Sequence, residues 1–155
     1  ARQSEADAPI SCAIVLENLQ DPGNVGTVIR TANALGVDAV ILVGSCADLY
    51  NPKTVRATMG AIFRQRVIQT ELRGLKSLTE KNALPLYGAA LSPKAMDIRQ
   101  ISLQGAAVAI GSEGQGLSSG LLDICSARLI IPMEPDSESF NAAVAAAIAM
   151  WEMRR

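Results

Sequence analysis

Short apolar runs rich in β-branched residues alternate along this chain with helix-patterned segments, and that alternation constrains the fold more than any other feature. The runs are Cys12 to Leu16, Ala39 to Val43, Leu84 to Ala90, Ala106 to Ile110 and Arg128 to Ile131, with a weaker one near Arg66 to Gln69. Between them, periodicity near 3.6 predicts helices over Asn24 to Leu35, Pro52 to Met59, Leu72 to Lys81 and Leu117 to Cys125, and a last one from Ala142 to Arg155. Strands and helices in strict turn imply an α/β fold with a mostly parallel sheet flanked by helices on both faces. Ligands of such sheets collect outside the carboxyl ends of the strands, which directs attention to the loops after Leu16, Ala90, Ile110 and Ile131.

At 155 residues and 49% hydrophobic, the chain is long enough for one well-cored domain, expected over 10–155. The acidic, polar start, 1–9, is expected to be disordered. The chain opens on Ala1 rather than on methionine, which leaves room for a further domain ahead of it. No apolar run approaches the roughly 20 residues that span a bilayer, so the expected home is the cytoplasm, with no membrane partner.

Two absences narrow the chemistry. There is no histidine, which removes the usual general base and the usual catalytic metal ligand together. Cys12, Cys46 and Cys125 lack the paired spacing of a zinc site and are read as buried thiols, so no metal is expected. Net charge is −1 and the isoelectric point about 5.4, which argues against holding nucleic acid by bulk electrostatics. An RNA substrate would need a local basic patch or another domain.

Three loops carry polar residues. The first is Glu17-Asn18-Leu19-Gln20-Asp21-Pro22-Gly23-Asn24-Val25-Gly26, where Asp21 to Gly23 turn the chain and Asn24 is expected to cap a helix bearing Arg30. Six helical residues correspond to about 600°, so Asn24 and Arg30 point roughly 120° apart and cooperate only through something between them. The second is Gly111-Ser112-Glu113-Gly114-Gln115-Gly116-Leu117-Ser118, whose glycines let backbone amides approach a ligand while Glu113 orients a donor or a cation. Its glycine order and place exclude a dinucleotide fingerprint, and no Gly-Lys-Ser/Thr triplet marks a P-loop. The third is Ile131-Pro132-Met133-Glu134-Pro135-Asp136-Ser137-Glu138-Ser139-Phe140-Asn141, leading into an alanine-rich helix. Ser139 is expected at its N-cap, with Asn141 two residues inside. Ala142, Ala143, Ala145, Ala146, Ala147 and Ala149 leave that helix almost without side chains, so neighbouring backbone can approach closely.

In this order and at these spacings the loops resemble the three signature motifs of the SpoU (TrmH-like) branch of the SPOUT methyltransferases. The segment Asn51 to Arg64 resembles the family's stretch between the second and third strands, and the likeness extends from about Ile14 to Arg154. It implies a deep C-terminal trefoil knot, a rare topology, and a homodimer that transfers a methyl group from S-adenosyl-L-methionine to a ribose 2′-hydroxyl of structured RNA, tRNA or rRNA. By the same resemblance, Arg30, Asn24, Glu113, Ser139 and Asn141 form the catalytic set. Ala89, Gly111, Ile131, Met133 and Phe140 would meet the cofactor.

Arg30 then acts in one of two ways. It takes the hydroxyl proton as a neutral base, although free arginine holds its own proton above pH 12. Alternatively it stays cationic, binding phosphate and stabilising the developing alkoxide. The third motif departs from the family's common Ser-Leu-Asn-Val-Ser-Val-Ala, because Phe140 replaces leucine and Ala143 the second serine. An inactive dimerisation or RNA-binding module on the same scaffold is the alternative reading, since fold alone does not carry function. Arg56, Arg64, Arg66, Arg154 and Arg155 are candidates for a basic face across two subunits.

Overall fold

The computed structural model describes residues 8–155, so most of the segment expected to be disordered lies outside the described residues. Seven strands form one sheet in the order β3-β2-β1-β6-β4-β7-β5: β1 (Ala13–Glu17), β2 (Ala39–Val43), β3 (Val67–Thr70), β4 (Leu86–Ala89), β5 (Met96–Asp97), β6 (Ala107–Gly111) and β7 (Ala127–Ile130). Every pairing is parallel, with Ala13 opposite both Ala39 and Ala107 across the centre. The six predicted strands are present within two residues at each end. β5 was not foreseen, because two residues at a sheet edge carry no periodic signal.

Central strands of a parallel sheet are covered on both faces, which is why β2, and β1 as far as Leu16, read as unbroken apolar runs and both are buried at every position. Ile14, Leu16, Val40, Leu42, Val108 and Ile110 point to one side, against α1 (Pro22–Leu35) and α5 (Ala142–Arg154). Val15, Ile41, Val43 and Ala109 point to the other, against Leu75 of α3 (Leu72–Lys81) and Leu121 of α4 (Ser119–Ile124). Each fully buried branched side chain contributes about 1.5–3 kcal/mol relative to exposure. A short helix, α2 (Pro52–Ala57), lies on α1 rather than on the sheet, and Gly26 permits this: a Cβ there would overlap the Ala57 methyl and the Thr54 carbonyl oxygen.

Both helix starts differ from expectation. Asp21, not Asn24, caps α1, accepting from the amides of Gly23 at 2.8 Å and Asn24 at 3.2 Å, with Pro22 fixing the first turn. Asn141, not Ser139, caps α5, its Oδ1 accepting from Ala143 N at 2.8 Å and Val144 N at 3.2 Å. Sequence contains several competent caps in each loop, and the extended φ/ψ that marks the true one is set by tertiary contacts. The thiols also differ: Cys12 is buried, whereas Cys46 and Cys125 are half-buried. Burial still pushes both of these thiols up, Cys125 to about 11.

β7 pairs with β4 on one half of the sheet, yet α5 packs its alanines against α1, which follows β1. The segment 131–141 therefore crosses the topological switch between β1 and β6, a path consistent with the trefoil knot. Ala142, Ala143, Ala146 and Ala149 are buried on the inner face, where larger side chains would hold the backbones apart. No helix among the described residues is long and apolar enough to cross a membrane, and no group of three or more potential metal ligands occurs among them.

Candidate active site

The switch between β1 and β6 brings three distant side chains together. Asn24 Nδ2 donates to Glu113 Oε1 at 3.2 Å, and Asn141 Nδ2 donates to Asn24 Oδ1 at 3.2 Å. Glu113 Oε1 also accepts from the backbone N–H of Ala142 at 3.1 Å, one of the unpaired amides at the start of α5. A carboxylate can only accept, so the Asn24 amide must turn its NH2 to Glu113 and its oxygen to Asn141. Asn141 in turn can only donate there, because its own oxygen is committed to capping. The negative charge lies at a helix N-terminus, where the backbone dipoles favour it.

Beside this cluster lies a cleft of about 370 Å³, within the size range of small-ligand sites. All five residues expected to meet a cofactor line it: Ala89, Gly111, Ile131, Met133 and Phe140. Ser139 is on the same wall, joined by Leu91, Gln115, Leu117 and Leu129, which the sequence reading did not single out. The loop after β6 doubles back through an isolated bridge between Ser112 and Gly116. Gly111 makes that return possible, since a Cβ would overlap the Gly116 carbonyl and the Leu117 amide nitrogen.

Ser112, Glu113 and Gln115 also border a second, polar hollow of about 350 Å³, with Gln20, Asp21 and Asn24 on its far side. The loop is thus a shared wall, apolar space on one side and amides on the other.

Two expected residues stand apart. Arg30 is exposed on α1 and has no hydrogen bond or ion pair among the described residues, in keeping with its divergence from Asn24 around the helix. Ser139 likewise reaches none of Asn24, Glu113 or Asn141, although it shares the cleft wall.

One buried carboxylate escaped the sequence reading. Glu17, at the end of β1, is 5% exposed. Its Oε1 accepts from Ser118 N at 2.7 Å and its Oε2 from Ser118 Oγ at 2.6 Å. Ser118 Oγ also caps α4 by accepting from Leu121 N at 3.2 Å. This pins the far end of the 111–118 loop to the sheet. An acid directly after an unbroken apolar strand was the only signal in the sequence.

Residues 11–151 match the model of the SpoU rRNA methylase family. The chain belongs to that family. Among SpoU-family relatives, it is 36% identical over 141 residues to the 23S rRNA (guanosine(2553)-2′-O)-methyltransferase RlmP of Bacillus subtilis (strain 168), a match covering 91% of this chain and 57% of that protein. The fold superposes on the AdoMet-bound rRNA methyltransferase from Sinorhizobium meliloti with a TM-score of 0.90 at 30% identity, covering 97% of this chain and 59% of that one. Against the SpoU methyltransferase AviRb from Streptomyces viridochromogenes, in complex with AdoMet, the TM-score is 0.87 at 28% identity, covering 96% of this chain and 62% of that one. The chain spans roughly half to three-fifths of the length of the curated SpoU-family relatives it matches.

Proposed function

We propose that this chain is the methyl-transferring domain of an RNA ribose 2′-O-methyltransferase that uses S-adenosyl-L-methionine, acts on tRNA or rRNA in the cytoplasm and works as a homodimer. The observation that carries the reading is the Asn24–Glu113–Asn141 network at the mouth of an apolar cleft lined by all five expected cofactor residues. Exposed Val144 and Trp151, seven residues apart on one face of α5, support a subunit contact there. A substrate-recognition domain elsewhere in a longer protein would supply RNA affinity that this acidic chain lacks overall.

The cleft fits the cofactor chemically. Leu129, Ile131, Met133 and Phe140 offer an apolar bed for a purine, and the carboxyl ends of β4, β6 and β7 offer backbone donors and acceptors for its edge and ribose. When bound, S-adenosyl-L-methionine supplies an electrophilic methyl group on sulfur. Asn24 and Asn141 hold ribose and phosphate oxygens, and Ser139 offers a hydroxyl from the cleft wall. Positioning of this kind contributes much of the acceleration when two reactants must align. Arg30, exposed on α1, manages the hydroxyl proton and the developing negative charge once substrate lies between it and the cleft, either as base or as fixed cation.

Calorimetric titration with S-adenosyl-L-methionine and its demethylated product tests the reading. Saturable binding near one per subunit is expected, and a folded dimer that binds neither would leave the inactive scaffold. Arg30→Ala should keep cofactor affinity within about twofold while lowering methyl transfer about 10²–10³-fold. Loss of both together would make Arg30 structural.

A further inference from the structure

The stretch 49–70 contains no aspartate or glutamate, although the whole chain carries a net charge of −1. It runs from Leu49 and Tyr50 through α2 and a single 3-10 turn, Ala61–Phe63, to the end of β3. Leu49 and Ala61 are buried, but three of its large apolar side chains are turned outward: Tyr50 is 76% exposed, Met59 68% and Phe63 86%. Leaving such side chains in water forgoes burial free energy that the neighbouring core collects, so their exposure calls for an occupant.

The cations beside them are uncommitted. Lys53, Arg56 and Arg64 are exposed, and none has a side-chain hydrogen bond or ion pair among the described residues. Three arginines elsewhere are engaged, although Arg30 is not: Arg154 donates to the Leu35 carbonyl at 3.1 Å, Arg155 pairs with Glu152 at 2.8 Å and Arg99 with Asp97 at 2.8 Å. Exposed rings interleaved with free guanidinium groups are the chemistry that holds unpaired nucleotides, bases on the rings and phosphates on the cations.

Position links this ridge to the reaction. α2 rests on α1 at Gly26, and Arg30, one turn further along α1, shares that helix face. Resting on the RNA methyltransferase reading above, we propose that the α2 ridge is an RNA-docking surface: Tyr50 and Phe63 stack unpaired bases, and Lys53, Arg56 and Arg64 grip the flanking phosphates, leading the strand toward Arg30. A second copy of this chain is the less suitable occupant, because a twofold contact through the ridge would bring the same cations face to face.

The test is fluorescence anisotropy of a labelled 20-nucleotide oligouridylate with the full chain, beside calorimetry with S-adenosylhomocysteine and sedimentation velocity. The pairs Tyr50→Ala/Phe63→Ala and Arg56→Gln/Arg64→Gln are each expected to weaken oligouridylate binding tenfold or more. The arginine pair should also flatten the salt dependence by about 1.4 in log–log slope, at about 0.7 per lost phosphate contact on a single strand, while the aromatic pair leaves the slope unchanged. Product affinity and sedimentation should stay as in the parent. Unchanged oligouridylate binding in both pairs overturns the proposal, and so does a shift to a smaller sedimenting species, which would make the ridge a subunit contact. Oligouridylate binding that depends on the ridge in a protein with no affinity for S-adenosylhomocysteine would sustain the docking surface and sink the methyltransferase reading instead.

Discussion

Of two hollows compared at the carboxyl end of the same parallel sheet, the larger is the less equipped. The one beyond β2 and β3 measures about 490 Å³ and is bordered by Gly44, Cys46, Asp48, Thr70 and Glu71, with no extended apolar wall. The one beyond β4, β6 and β7 measures about 370 Å³, but it has Ile110, Leu129, Ile131, Met133 and Phe140 on its walls and the Asn24–Glu113–Asn141 network at its rim. Volume does not select between them. What distinguishes the smaller hollow is that chain from three distant parts of the sequence converges there, so a ligand meets apolar surface and fixed polar groups together. At the larger, neighbouring acids repel the anionic groups common in nucleotide-like ligands.

A matched pair of glycine substitutions gives the largest expected effect and breaks the comparison if it is wrong. Gly111→Ala drives a methyl group into the Gly116 carbonyl and should lower S-adenosylhomocysteine affinity at least tenfold by calorimetry. Gly44→Ala, at φ +73° and against Asn18 Oδ1, should cost about 1–2 kcal/mol of stability in denaturant unfolding, yet leave that affinity within about twofold. Equal loss of affinity in both would mean that the hollows form one functional unit.

Glu17→Gln sharpens the contrast with a smaller effect. Its amide can accept only one of the two bonds now given by Ser118 and presents a donor to the other, costing about 1–3 kcal/mol as a buried polar mismatch. Because the loop it pins forms one wall of the cleft, KM for S-adenosyl-L-methionine should rise several-fold with kcat within about twofold. A fall in kcat at unchanged KM would contradict that assignment.

The smallest effect is one of pH. Cys125 lies beyond the cleft, against Gly88 at the back of β4, and its pKa is raised to about 11, mainly by burial. A folded-state pKa above the unfolded value stabilises below the unfolded value and ceases to do so as pH climbs through the folded one. Stability in denaturant should therefore fall between about pH 9 and 11, and Cys125→Ala should remove part of that fall. An identical pH profile in the variant would show the thiol to be uninvolved.

The sequence makes the strands and helices legible because β2, β6 and β1 as far as Leu16 are apolar without interruption and α1 repeats every three to four residues. The motif residues were legible as a set through the family resemblance, and the structure joins Asn24, Glu113 and Asn141 directly. What could not be read were pairings across long separations. Glu17 and Ser118 are 101 residues apart, and nothing local in either says that they meet. Helix caps failed for a different reason: Asp21 and Asn24, like Ser139 and Asn141, are all good acceptors, and backbone geometry alone chooses. Arg30 was legible as a residue but not as a contact: it is exposed on α1 and makes no hydrogen bond or ion pair among the described residues.

The bond from Asn141 to Asn24 spans 117 positions, and this sets a clock during synthesis. At about 5–20 residues per second, roughly 6–23 s separate the emergence of the two asparagines from the ribosome. Through that interval β1 and α1 can form, but Asn24 lacks both partners until Glu113 is made 89 positions later, and Glu113 then still lacks the Ala142 amide. Until the alanine-rich helix arrives, the nascent protein therefore lacks the Asn24–Glu113–Asn141 network on which the proposed activity rests.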